Sequence, residues 1–189
     1  MVYKPFQVMS QFSAVEGKQT LSDFFKVPGD VYPVGRLDYD SEGLLILTND
    51  RSLNNKLLNP LFRHEREYWV EVEGVVTTEA LQRLSAGIAI SIDGKKHLSL
   101  PAIVTPFETP PTVPERNPPV RFRKNIPTSW LSLQLTEGKN RQVRRMTAAA
   151  GFPTLRLIRY RIENVKLANM QPGDLLTMNQ PTIYSLLFK

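Results

Sequence analysis

Seven of the chain's fifteen prolines fall between Thr105 and Pro127: Pro106, Pro110, Pro111, Pro114, Pro118, Pro119 and Pro127. Proline fixes φ and lacks an amide hydrogen, so neither a helix interior nor a central strand can run through this block. The block has to be an extended loop, and regular structure has to come from the sequence on either side. Loops this long in a compact domain are commonly functional or mobile. Two readings of it stand open. It can be a stiff surface connector, or its Arg121, Phe122, Arg123 and Lys124 can follow an RNA backbone and stack on an unpaired base.

The flanking sequence alternates between strand and helix patterns. Glu67 to Gly74 reads as a strand with Tyr68, Val70 and Val72 on one face and Trp69, Glu71 and Glu73 on the other. Ser129 to Thr136 is a second, with Leu131, Leu133 and Leu135 sharing a face. Between them, Thr77 caps a helix that carries Leu81 and Leu84 and stops at Gly87. Ile88 to Ile92 and Leu98 to Val104 are expected to form a hairpin about Asp93-Gly94. After Glu137-Gly138-Lys139, a helix capped by Asn140 is expected to run to Gly151. Its inward stripe is Val143, Met146, Thr147 and Ala150, with Arg141, Arg144, Arg145 and Ala148 opposite and Arg144 nearest the boundary. Nearer the N-terminus we expect a short strand over Tyr3 to Ser10, a short helix starting at Thr20, and another capped by Ser52 and ended by Pro60. Leu175 to Met178 is expected to be a closing strand. Strands with few, short helices make an α+β chain.

Val34 to Asp50 places Asp38, Asp40 and Glu42 between Gly35 and Gly43, immediately ahead of the apolar run Leu44 to Leu47. By residues alone this is either a polar turn entering a core strand or a loop presenting carboxylates. Tyr68 is similarly open, since an inward tyrosine ordinarily serves packing.

Composition narrows the chemistry. At 189 residues and 41% hydrophobic content there is enough apolar mass for a core. With no cysteine and only His64 and His97, neither a thiolate nor a histidine metal site is expected, and any catalysis is expected to be metal-free. No apolar run reaches bilayer length, and the first residues lack a basic segment followed by an apolar core, so a cytoplasmic location is expected. A monomer is expected as well. The net charge is +6, but residues 115 to 161 hold eleven Lys/Arg against Glu115 and Glu137, leaving 13 basic and 16 acidic residues elsewhere. Basicity that is concentrated in this way fits a surface for a polyanion.

The stretch G-R-L-D-x-x-S-E-G-L-L-I-L-T-N-D at Gly35 to Asp50 resembles the signature of the RsuA/RluB/RluE/RluF family of ribosomal RNA pseudouridine synthases. Glu137 to Met146, E-G-K-N-R-Q-V-R-R-M, is similar to the same family's second signature. Arg66-Glu67-Tyr68-Trp69-Val70 resembles its K-x-Y-x-V motif, with arginine in place of the usual lysine, and Pro153 to Tyr160 resembles its L-x-R element. The resemblance implies an α+β catalytic fold of two lobes around a mixed, largely antiparallel sheet with an active-site cleft. It implies Asp38 as the catalytic carboxylate, Asp40 and Glu42 as supporting residues, Arg144 as the partner of Asp38, and Tyr68 as the residue that stacks on the target base. The accompanying RNA-binding set is Lys4, Arg36, Arg121, Arg123, Lys124, Lys139, Asn140, Arg141, Arg145 and Arg159. Relatives in this family can carry a small RNA-binding domain before the Lys-Pro segment, and its position at Lys4-Pro5 here leads us to expect one catalytic domain without it. That feature and the approach Ile126 to Leu131 are most similar to the RluE branch, which implies 23S ribosomal RNA as substrate. A non-catalytic RNA-binding or ribosome-assembly factor would need the basic segment but not Asp38.

Overall fold

The computed structural model of the protein describes residues 1–120 and 125–188. In chain order the elements are β1 (Val2–Lys4), β2 (Val8–Met9), β3 (Gln19–Thr20), β4 (Tyr32–Pro33), β5 (Glu42–Leu45), β6 (Leu47–Thr48), α1 (Arg51–Leu58), β7 (Arg66–Glu73), α2 (Thr78–Ala86), β8 (Ala89–Ile92), β9 (Lys95–Leu98), β10 (Ile103–Pro106), β11 (Thr128–Leu135), α3 (Gln142–Ala149), β12 (Thr154–Ile162), β13 (Val165–Lys166) and α4 (Gln180–Leu187). The chain divides into two compact units, Met1–His64 with Ile158–Lys189, and Glu65–Leu157.

In the first unit β5 is the central strand, buried at all four residues. β1 pairs with it antiparallel, Lys4 opposite Gly43, and β12 pairs with it in parallel, Arg159 opposite Gly43. The sheet is therefore mixed. Gly43 has φ +112°, and a Cβ there would stand 2.5 Å from the carbonyl oxygen of Arg159, so only glycine lets the two backbones approach this closely. Val2, Val8, Leu21, Phe25 and Leu45 form a buried apolar cluster in this unit.

Helix starts depart from the sequence reading where a better cap lies nearby. α1 is capped by Asp50, not Ser52: the Asp50 carboxylate accepts from the amides of Ser52 (2.8 Å) and Leu53 (3.0 Å). The expected helix after Thr20 is a single 3₁₀ turn, Leu21–Asp23, in which the Thr20 amide donates to Asp23. Leu175 makes an isolated bridge to Val2 in place of a closing strand, and the chain then enters α4. That helix was not anticipated, although Asn179, which accepts from the Thr182 amide, and a proline in the first turn are its local signal.

In the second unit β11 pairs antiparallel with β7 along its whole length, from Thr128 opposite Glu73 to Leu135 opposite Arg66, and β10 adds on its other side. Val70, Val72, Leu131, Leu133 and Leu135 form one apolar face, covered by Ala80 and Leu84 of α2 and by Val143 and Met146 of α3. The expected alternation and inward stripe hold. The hairpin does not have the expected second strand: Asp93 and Gly94, both at positive φ, form a two-residue turn, so the return strand starts at Lys95 and ends at Leu98. Residues 103 to 106 pair instead with β11. Pro106 is tolerated because it ends an edge strand. Beyond it the described part of the proline block has no regular structure, and arginines satisfy its carbonyls. Arg116 donates to Pro118 and Pro119 (2.9 and 3.0 Å), and Arg156 donates to Pro114 (2.7 Å).

Candidate active site and nucleic-acid surface

The loop that carries Asp38 is tied down at successive backbone positions. The Val34 amide donates to Ile46, and the Gln7 amide donates to Tyr39. Ser10 Oγ accepts from the Leu37 amide (3.0 Å) and donates to the Leu37 carbonyl (2.7 Å). Ser41 closes a turn onto the Asp38 carbonyl at 3.0 Å. Leu37 is buried while Asp38, next to it, is half-buried, so an apolar anchor sets the direction of a carboxylate. Nothing in local sequence marked Ser10 as the brace, because it lies 27 residues upstream.

Beneath the loop lies a layer of buried charge. Lys4 is 0% exposed and its Nζ donates to the carbonyls of Pro5 (2.9 Å) and Val8 (2.7 Å). Burial lowers its pKa from 10.5 to about 7; Glu42 opposes that shift, Arg159 reinforces it, and Asp38 and Asp40 oppose it further. Tyr3 donates to the Glu42 carboxylate at 3.1 Å. Arg159, 5% exposed, donates through Nε to the Leu44 carbonyl at 2.8 Å. Three sequence expectations are corrected here. Glu42 belongs to β5, not to the loop, and Lys4 and Arg159, expected at an RNA surface, lie inside. Both lie opposite Gly43 on the strands that pair with the buried β5. Arg36 is exposed in the loop itself.

In the second unit Tyr68 lies opposite Leu133 on β11 and packs, half-buried, against the apolar face. On α3, Gln142, Val143, Met146 and Thr147 are buried, Arg144 and Arg145 are half-buried, and Arg141 is exposed. Asn140 does not cap this helix. Arg141 occupies the N-cap position at φ +51°, the Lys139 amide donates to the Gln142 side chain (2.9 Å), and Asn140 Oδ1 accepts from Arg145 (3.1 Å). Arg145 also donates to the Ser91 carbonyl. Glu137 accepts from Gln142 (2.5 Å) and from the Leu100 amide (2.7 Å), which fixes the approach to the turn. The side chains of Lys139 and Asn140 are exposed. Arg121, Arg123 and Lys124 lie outside the described residues. Gln142 and Glu137 are the braces that sequence reading passed over; their polar residue types at a helix start were the available signal.

This arrangement has the fold of a pseudouridylate synthase. A solved structure described as a pseudouridylate synthase matches 98% of this chain and 72% of its own at a TM-score of 0.77 and 25% identity. Human RNA Pseudouridylate Synthase Domain Containing 1 shares the fold at a TM-score of 0.56, over 97% of this chain and 80% of its own at 15% identity. Residues 1–149 match the RNA pseudouridylate synthase family, and the chain belongs to that family of uridine-isomerising enzymes. It is 49% identical over 171 residues to Ribosomal large subunit pseudouridine synthase E of Vibrio parahaemolyticus, covering 90% of this chain and 69% of that protein. The protein of the same name from Xanthomonas campestris is 49% identical over 176 residues, 92% of this chain and 91% of that one. Ribosomal large subunit pseudouridine synthase B of Bacillus subtilis is 35% identical over 92% of this chain and 65% of that protein. No helix among the described residues is long and apolar enough to cross a membrane.

Proposed function

We propose that the protein isomerises a uridine of 23S ribosomal RNA to pseudouridine, with Asp38 as the reacting carboxylate. The observation that carries this is the braced loop, which holds Asp38 between a buried Leu37 and the Ser41 turn, over a buried strand. The relatives named as large-subunit synthases support the substrate. Isomerisation breaks the N1–C1′ bond, turns the uracil and forms the C5–C1′ bond; C5 loses a proton and N1 gains one. Redox state does not change, so positioned acid–base or nucleophilic groups suffice. Asp38 either attacks the ribose or takes its C2′ proton, and both routes need the ionised carboxylate.

Tyr68 is assigned to stacking on the uracil and Arg144 to charge balance at the reacting nucleotide. Lys139, Asn140, Arg141 and Arg145 are assigned to the RNA backbone, along with Arg36, Arg121, Arg123 and Lys124. Lys4 and Arg159 act from behind the loop. The target nucleotide has to leave its stack, at a few kcal/mol, which favours unpaired sites. The protein works as a monomeric catalytic domain in the cytoplasm.

The test is single-turnover tritium release from 5-tritiated uridine in 23S RNA transcripts. Asp38→Asn keeps shape and removes charge, so folding and RNA binding should persist while release falls to background. Turnover by folded Asp38→Asn protein would remove Asp38 from the chemistry.

A further inference from the structure

The first unit carries a basic stretch of its own. Residues 51 to 63 contain Arg51, Lys56 and Arg63 and no acidic residue. α1 buries Leu53 and Leu57 and turns Arg51, Asn55 and Leu58 outward, at i, i+4 and i+7. The helix leads into a 3₁₀ turn, Pro60–Phe62, that exposes Leu61 at 86% and Phe62 at 57%, with Leu58 at 44% beside them. Exposed apolar side chains grouped in this way are costly unless something covers them.

The tip is rigid. Asn59 accepts from the Leu61 amide (3.0 Å), Phe62 and Arg63 donate back to Asn59 and Pro60, and Arg63 stands at φ +48°. On the far side His64 is held between Glu163 (2.9 Å) and the Lys56 carbonyl (3.1 Å), and its ring packs 5.9 Å from that of Phe62. Phe62 packs one side of its ring toward His64 and leaves much of the rest to solvent. The tip also adjoins the Asp38 loop: Leu58 Cδ2 lies 3.1 Å from where a Cβ on Gly35 would stand, and exposed Arg36 follows Gly35.

We propose that this tip is a docking surface for unpaired RNA nucleotides next to the target uridine, a deepening that rests on the functional reading above. Phe62 stacks on a base, Leu58 and Leu61 cover its edge, and Arg36, Arg51 and Arg63 meet phosphates. Positive charge around an exposed aromatic ring is the combination that binds single strands and has little hold on a base already stacked in a duplex. Continuity with the Asp38 loop favours this occupant over a protein partner.

The experiment measures binding of a fluorescein-labelled single-stranded 12-mer oligoribonucleotide, and of the same strand in a duplex, by anisotropy. Wild type, Leu61→Ser/Phe62→Ala and Phe62→Trp are compared, with thermal unfolding and gel filtration as controls. The double variant should bind the single strand about tenfold more weakly, with duplex binding and melting temperature unchanged, and Phe62→Trp should keep wild-type affinity. In single-turnover reactions on 23S RNA the half-saturating concentration should rise and the limiting rate persist. Equal affinity of wild type and the double variant overturns the proposal, as does equal loss for duplex, or a wild-type dimer that the double variant dissociates. Failure of the functional reading is separate: wild type would then form no pseudouridine, while the anisotropy comparison still decides the role of the tip.

Discussion

Gly43 and Lys4 show how single residues answer to distant backbone. At Gly43 an added Cβ meets the Arg159 backbone at 2.5 and 2.7 Å, with φ at +112°. Gly43→Ala should therefore destabilise by more than about 3 kcal/mol or prevent folding, measured by urea denaturation. Lys4 has a folded pKa of about 7, below its ordinary 10.5. Below pH 7 both folded and unfolded states carry its proton, and the burial penalty is present in full. Between about 7 and 10.5 the unfolded state binds more protons, so this group makes stability rise with pH. Lys4→Met should flatten that limb by an amount on the order of a few kcal/mol, even though the carbonyls of Pro5 and Val8 lose a donor. Parallel pH–stability curves for the two proteins would refute it. The carboxylates Asp38, Asp40 and Glu42 were legible as residues in sequence; that Glu42 starts β5 and is buried against Tyr3 was not, because Tyr3 is 39 residues away.

At the scale of elements, Asp50 joins the start of α1 to α4. Besides the two amides it caps, its Oδ2 accepts from Tyr184 (2.7 Å) and Gln180 (2.9 Å). The hydrogen bond from Tyr184 is the main cause of a lowered Asp50 pKa, followed by the Leu53 amide. A lowered value means that the stabilisation is present above the ordinary carboxylate value of 3.8 and is lost as pH falls through the folded one. Asp50→Asn should lower the melting temperature at pH 6 and lose less on acidification to pH 3 than wild type, read by differential scanning calorimetry. The cap at Thr77 was readable because the hydroxyl and the Ala80 amide it accepts from are three residues apart. The cap at Asp50 was mistaken for Ser52 because both residue types suit the position.

For the whole molecule, part of the local basicity is engaged with the protein's own backbone. Of the eleven basic residues between 115 and 161, Arg116, Arg145, Arg156, Arg159 and Arg161 donate to backbone carbonyls. The salt dependence of RNA binding should therefore report fewer phosphates than the tally. Lys139→Gln/Arg141→Gln should reduce the slope of log K against log salt by about 1.5 to 2. Arg156→Gln should leave the slope alone and cost about 1 to 3 kcal/mol of stability, because the Pro114 carbonyl loses its donor. A change of slope with Arg156→Gln would return that residue to the RNA surface.

The sequence by itself determined the elements whose signal lies within a few residues. These are the alternation of β7 and β11, the inward stripe of α3, the cap of α2, the exclusion of regular structure from most of the proline block, and the motif around Asp38. Periodicity and capping act between residues two to four apart, so they can be read along the chain. Only the tertiary structure decided which charges are inside. Lys4, Gly43 and Arg159 meet because β1, β5 and β12 pair across long separations, and burial is a property of that pairing and not of residue type.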